Sequence, residues 1–430
     1  MTTTYDPDSP SYFDAEDVHE ELDRVFDLCH GCRLCWDLCP SFDSLFKLID
    51  EKTNGVDVKL DRSDNDRIVD ECYQCKLCYI KCPYVPPHEW DLDFPRLMLR
   101  ARAARSGGKP ASLTDRFLGA TDLTGKLGTA ASGLANAANR AKPVRIVMEK
   151  TLGVARDRKL PDYANKRFSK WFEREGAARA PDKEADAPRA TLFPTCLVEY
   201  NDPSIGKAAV EILGSCGVGV NCPETVCCGM PSLDGGDVKG FIEKARRNVE
   251  VLAPHARAGR AIVVPQPTCG YVLRHDYPDY LKSDDAKAVA EATRDAGEYI
   301  FELKKQGVFK AEFTEELGNV AYHAPCHLRA QGKGLKGRDV LKAVPGTKVT
   351  LIEGCTGIDG TWGYKAKWYE MARKVAKPMV ERIEKSEPDV IVGDCLLADT
   401  AIEEEIGKRP IHPLHAIARA LGMKGEVAGE

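Results

Sequence analysis

The chain has 430 residues, a formal net charge of −5 and 17 cysteines. Such a length carries two or three domains, and the acidic balance excludes a general nucleic-acid binder, which needs a basic footprint. The acidic, polar opening MTTTYDPDSPSYFDAEDVHEELDRVF is unlike a secretory signal, and no apolar run is long enough to span a bilayer. A cytoplasmic setting is therefore expected, where thiols stay reduced and clustered cysteines point to metal rather than to disulfides.

The first elements surround two cysteine runs. EDVHEELDRVFDLCHGC has helical periodicity and leads into Cys29, Cys32, Cys35 and Cys39-Pro40. SFDSLFKLID gives a further helix before Cys72, Cys75, Cys78 and Cys82-Pro83. Both runs have the spacing of bacterial ferredoxins, in which the fourth Cys ligates the other cluster. Three thiolates two residues apart wrap one [4Fe–4S] cube from a tight loop, and the fourth corner comes from outside it. The expected sets are Cys29, Cys32, Cys35 and Cys82 for one cluster, and Cys72, Cys75, Cys78 and Cys39 for the other. Zinc sites pair two Cys-x-x-Cys units and do not need this longer spacing twice. The helical flanks resemble the α-helical ferredoxin domain of respiratory iron–sulfur subunits. That domain is expected to span residues 1–105.

Residues 106–188 carry no cysteine. SGGKPAS and EGAARAPDKEADAPRA read as flexible linkers on either side of LTDRFLGATDLTGKLGTAASGLANAANRA, a weakly amphipathic helical connector. Phe117, Leu118, Leu123, Leu127 and Leu134, with Lys126, Arg140, Lys142 and Arg145, suggest an apolar side with basic flanks. That pattern fits either a connector packed on its neighbours or a weak peripheral membrane contact.

The rest of the chain reads as a duplication, residues 189–315 and 316–430. TLFPTC, ending at Cys196, matches VAYHAPC, ending at Cys326. Cys227-Cys228-Gly229 matches Cys355-Thr356-Gly357. AIVVPQPTC, ending at Cys269, matches DVIVGDC, ending at Cys395. The offset stays at about 130 residues throughout. Helical patterns at 236–254 and 367–386 separate these strands, which implies α/β units with mostly parallel sheets. Cys216 and Cys222 match no landmark and read as core residues. His30, His88, His255, His275, His412 and His415 carry no spacing argument. No phosphate-binding glycine motif is present, so neither a dinucleotide nor ATP is expected.

The Cys-Cys-Gly, with Cys196 before it and Cys269 after it, resembles the CCG domain. The B subunit of heterodisulfide reductase, the glycolate oxidase iron–sulfur subunit and the C subunit of anaerobic glycerol-3-phosphate dehydrogenase share that domain. The stretches CPYVPPHEWDLDFPRLM and GTWGYK resemble the last type most. The resemblance implies an α+β multidomain chain: an α-helical ferredoxin domain, a helical connector and two duplicated α/β CCG repeats. In the heterodisulfide reductase subunit each repeat supplies an early Cys, a Cys-Cys pair and a late Cys-x-x-Cys to a non-cubane cluster. Carried over, the first repeat offers Cys196, Cys227, Cys228 and Cys269, with Gln266 in place of a fifth thiol. The second offers Cys326, Cys355 and Cys395, with Thr356 and Val392 as replacements. His323 or His327 would complete that set.

Two [4Fe–4S] clusters are thus expected in the ferredoxin domain, a third cluster in the first repeat, and a fourth if the second repeat is complete. The implied function is electron relay between a partner dehydrogenase, a flavoprotein by expectation, and a quinone or other redox acceptor, with contact at the inner membrane face. No catalytic residue is assigned. Two alternatives stay open: a thiol–disulfide or peroxide-linked reductase using a cluster in the repeats, and a non-redox binding module with structural clusters.

Overall fold

The computed structural model describes residues 5–53, 58–182, 187–310, 312–358 and 360–430. Part of the expected linker EGAARAPDKEADAPRA, residues 183–186, lies outside them.

Five helices hold the two cysteine runs. Asp14 caps α1 (Ala15–Cys32) by accepting from the N–H groups of Glu16 and Asp17. The helix buries Val18, Leu22, Val25 and Phe26 and ends in a left-handed Arg33. Pro40 opens α2 (Pro40–Lys52), where a missing N–H costs nothing. The proline after the fourth Cys is therefore a helix start. α2 buries Leu45, Phe46 and Ile49 completely, each contributing about 2 kcal/mol. Then come α3 (Arg62–Glu71), α4 (Leu77–Lys81) and α5 (Phe94–Ser106). Phe94 of α5 stacks on Phe42 with ring centres 4.5 Å apart.

The connector is helical: α6 (Leu113–Gly119), α7 (Thr121–Ala130), α8 (Ser132–Arg140) and α9 (Lys142–Leu152). It lies against the repeats. α7 approaches the helix Thr195–Tyr200 so closely that a Cβ on Gly125 would sit 2.3 Å from the Tyr200 ring. Leu123, Leu127 and Leu134 face outward, 61%, 63% and 75% exposed. The expected side is corrected in two respects. Phe117 and Leu118 turn inward to line a cavity. Arg145 is buried, donating to the carbonyls of Ala155 and Arg158 at 2.6 and 2.7 Å, so it adds no surface charge.

Two all-parallel sheets follow. The first has the order β2-β1-β3-β4, with β1 Arg189–Leu192, β2 Gly219–Asn221, β3 Ala261–Val264 and β4 Thr293–Asp295. The second has the order β6-β5-β7, with β5 Asn319–His323, β6 Lys348–Ile352 and β7 Val390–Gly393. The two share one winding: first strand central, second outside it, third on the other flank. Ile411 continues the second sheet beyond β7 as a single bridge to Val392. The long amphipathic helices Val238–Arg257 and Tyr369–Lys385 fall where the periodicity puts them. The chain is thus α+β, a helical N-terminal region followed by two α/β repeats.

The strand register corrects one match. Leu192, four residues before Cys196, pairs with Val263. Tyr322, four residues before Cys326, pairs with Val392. Val263 and Val392 are therefore equivalent, and counting onward sets Cys395 against Gln266 and Ala398 against Cys269. The cysteine-to-cysteine match in the sequence was three residues out.

One apolar core runs through both repeats, including Leu192, Val263, Val320, Tyr322, Val392 and Leu414. The helical N-terminal region docks on both. The indole N–H of Trp362 donates to the carbonyl of Asp70 at 2.9 Å, and Arg102 donates to the carbonyl of Asp234 at 3.3 Å. Among the described residues no helix is long and apolar enough to cross a membrane.

Candidate iron–sulfur sites

The first group of thiols is Cys29, Cys32, Cys35 and Cys82. They line one small cavity with Leu28 and Phe42. Burial, then Cys35, Cys82 and Cys32, push the Cys29 thiol well above its ordinary range. Burial and the neighbouring Cys82 push Cys35 up to about 11. The second group is Cys72, Cys75, Cys78 and Cys39. Burial, then Cys75, Cys72, Cys39 and Cys35, push Cys78 well up. Burial and Cys72 do the same to Cys39. Each group thus combines three thiols of one run with the fourth of the other, and Cys35 neighbours both.

Such nests hold protons unless positive charge enters, because several buried thiolates would repel one another. Bound iron would supply that charge, and four thiols are the donor set of a [4Fe–4S] cluster. Among the described residues no three Cys, His, Asp or Glu side chains are arranged to hold a single metal ion.

Two residues inside the second run escape a reading based on cysteines. Lys76 is only 3% exposed and donates to the Gln74 side-chain oxygen at 2.6 Å. The Gln74 amide in turn reaches the sulfur of Cys72 at 3.5 Å and donates to the carbonyl of Pro95 at 3.2 Å. Gln74 and Lys76 both have positive φ, 57° and 62°. The sole sequence signal for them is their place between ligand positions.

In the first repeat Cys196, Cys227, Cys228 and Cys269 all leave the C-terminal ends of strands, where α/β sheets gather ligands. They line a cavity of about 200 Å3. Hydrogen bonding from Cys196, then Cys228, holds the Cys227 thiol well below its ordinary range, while Cys196 and Cys228 are pushed up. The Cys-Cys loop is pinned from behind. Asn248 accepts from the N–H of Val226 at 2.9 Å and donates to the carbonyl of Val226 at 3.1 Å. Tyr277 donates to the carbonyl of Cys228 at 3.1 Å. The N–H of Cys227 donates to Asp122 at 3.1 Å. Gly229 sits at φ 95°, and a Cβ there would lie 2.7 Å from Phe241. The CCG triplet needs its glycine for both reasons.

This cavity also fits an electron-rich occupant. Gln266 and Tyr364 line it, and their buried side-chain nitrogen and hydroxyl have no hydrogen-bond partner among the described residues. Orphaned buried donors are costly, and the sulfides of a cluster are acceptors.

The second repeat's thiols part company. Cys326 and Cys355 join an apolar patch with Tyr73, Cys75, Trp362 and Trp368, facing the ferredoxin segment. Hydrogen bonding from Cys326, and an N–H from Gly357 at 3.2 Å, lower the Cys355 thiol. Cys395 instead lines the first repeat's cavity. His327 is occupied: Nε2 faces the carbonyl of Gln74 at 3.0 Å and Nδ1 faces the hydroxyl of Thr268 at 2.9 Å. It ties three parts of the chain together and has no lone pair left for a metal. His323 has Nε2 3.3 Å from the carbonyl of Gly354, and its buried Nδ1 has no hydrogen-bond partner among the described residues. Burial lowers both histidines to about 4, so both are neutral. Cys216 and Cys222 pack against the shared core.

Comparison with known proteins follows this division. Residues 28–85 match the 4Fe-4S dicluster domain, and residues 190–274 and 320–397 match the cysteine-rich CCG domain. The C subunit of anaerobic glycerol-3-phosphate dehydrogenase from Escherichia coli (strain K12) is 30% identical over 338 residues, 77% of this chain and 83% of the relative. Lactate utilization protein A of Bacillus pumilus is 30% identical over 246 residues, 54% of this chain and 98% of the relative. The B subunit of fumarate reductase (CoM/CoB) from Methanothermobacter marburgensis is 30% identical over 228 residues, 51% of this chain and 42% of the relative. With a dicluster segment, paired cysteine-rich domains and a relative matched over most of both chains, the protein belongs to the CCG-domain iron–sulfur oxidoreductase family that includes the C subunit of anaerobic glycerol-3-phosphate dehydrogenase.

Proposed function

We propose that this chain is an electron-transfer subunit that relays electrons between a flavoprotein dehydrogenase and a quinone or another redox acceptor. Cys29, Cys32, Cys35 and Cys82 would hold one [4Fe–4S] cluster, and Cys72, Cys75, Cys78 and Cys39 a second. Cys196, Cys227, Cys228 and Cys269 would hold a third. Bound clusters supply one-electron transfer, and the chain supplies their spacing and surroundings.

The observation that carries the reading is the continuity of the thiol groups. Cys35 neighbours both groups of the ferredoxin segment. Between the second group and the first repeat, Lys76 meets Tyr271. The Lys76 ammonium lies 5.8 Å from the ring centre of Tyr271, two residues after Cys269. Phe117, Leu118, Leu160 and Tyr200 line the cavity beside Cys196, walls that suit a flat apolar acceptor better than a charged one. The outward leucines of α7 and α8 suit peripheral contact with a membrane face.

The test is iron and acid-labile sulfide analysis of the full chain purified without oxygen, with EPR during a redox titration. Expected are more than about eight irons and, on reduction, broadened signals from two interacting clusters. Stoichiometric zinc without sulfide would overturn the reading.

A further inference from the structure

The first repeat's cavity takes one of its walls from the second repeat. Cys395 lines it together with Cys196, Cys227, Cys228 and Cys269, although Cys395 follows β7 in the other sheet. Its place is built. Cys395 is the N-cap of the helix Leu396–Ile406, as Gln266 is of the helix Pro267–Tyr271. The two N-caps meet where the repeats join, and the Gln266 side-chain oxygen accepts from the N–H of Leu396 at 3.1 Å. A thiolate at an N-cap lies at the positive end of its helix, which favours the ligating form. Tyr364 and Gln266 line the same cavity, and their buried hydroxyl and nitrogen have no hydrogen-bond partner among the described residues.

The register explains why the exchange runs one way. The two repeats carry equivalent late positions, but each has kept a different one. The first has Gln266 and Cys269, and the second has Cys395 and Ala398. Thr356 stands where Cys228 stands in the first repeat. Removing Cys395 from the second repeat's set leaves it Cys326 and Cys355, on the side facing Tyr73 and Cys75. Two thiols do not hold a four-iron cluster.

We infer that Cys395 is a ligand of the first repeat's cluster, donated across the junction, so that five thiols from two repeats bind one cluster and the second repeat binds none of its own. The inference rests on the proposed function's third cluster. Five thiols exceed the four of an ordinary cube, so the bound cluster should differ spectroscopically from the two in the ferredoxin segment.

The experiment uses the full chain, purified without oxygen, as wild type and as Cys395→Ala, Cys395→Ser, Cys228→Ala and Cys326→Ala. Iron and sulfide content and low-temperature EPR are read, with the ferredoxin-segment signals as the measure of intact folding. The wild type should hold iron beyond the roughly eight of the two ferredoxin-type clusters. Cys228→Ala and Cys395→Ala should abolish or shift the same additional signal, and Cys326→Ala should leave it. Cys395→Ser puts a good capping residue at the same N-cap position, so the same change there excludes loss of the helix start. An unchanged additional signal in both Cys395 variants overturns the inference and leaves the proposed function standing. So does a further signal lost in Cys395→Ala and Cys326→Ala but kept in Cys228→Ala. A wild type without iron beyond about eight overturns the third cluster as well.

Discussion

Lys76, between Cys75 and Cys78 in the sequence, is a buried cation held by Gln74 and set 5.8 Å from the centre of the Tyr271 ring. A positive charge there favours the reduced, more negative form of whatever cluster the group binds. Lys76→Met is therefore expected to lower the midpoint of that cluster by on the order of tens of millivolts and to leave the other unmoved. A redox titration followed by EPR decides it. The crossover of the fourth ligand gives a second expectation. Cys39→Ser and Cys72→Ser should damage one cluster, and Cys29→Ser the other. Loss of a single common signal in Cys39→Ser and Cys29→Ser would contradict the grouping. The thiol runs were readable in the sequence because their spacing carries the chemistry. Asp122, Asn248 and Tyr277 were not, because they act on the Cys-Cys loop from distant parts of the chain. Cys395 was matched wrongly because aligning cysteine with cysteine ignores the strand register that sets equivalence.

The helices of the connector expose a set of leucines. Leu123 and Leu127 on α7 and Leu134 on α8 project outward beside Lys126. A few leucines at roughly 2 kcal/mol each give weak, reversible adsorption rather than insertion. The full chain is expected to float with anionic vesicles at low salt and to release at high salt. Leu123→Asp with Leu127→Asp should abolish flotation without changing iron content. Flotation unchanged in that double variant would mean these helices serve only to pack. The strands β1, β3, β5 and β7 and the two long helices were legible from periodicity. β2 and β4, three residues each, are too short to show alternation. The inward turn of Phe117 and Leu118 is equally invisible, since a weakly amphipathic sequence does not say which neighbour a helix meets.

Across the whole molecule, the junction of the repeats buries titratable groups. Asp295 accepts from the N–H of Gly297 at 3.0 Å as cap of the helix Ala296–Lys305, and burial raises it to about 7. A carboxyl raised above its unfolded value near 3.9 binds its proton more tightly in the folded chain. Its contribution to stability is complete below about pH 4 and is lost as pH rises through about 7. Asp295→Asn, which stays neutral and still caps, should match the wild type in thermal stability at about pH 4 and exceed it at pH 8. Equal melting differences at both values would remove Asp295 as the cause.

The shared apolar core sets the order of manufacture. Leu192 and Val263 finish against Val320, Tyr322, Val392 and Leu414, which leave the ribosome later. At about 5–20 residues per second, the half already made waits roughly ten seconds with its greasy side uncovered. Chaperone protection would be needed during that interval. If Cys395 completes the proposed third cluster, that cluster can be finished only after synthesis has passed Cys395.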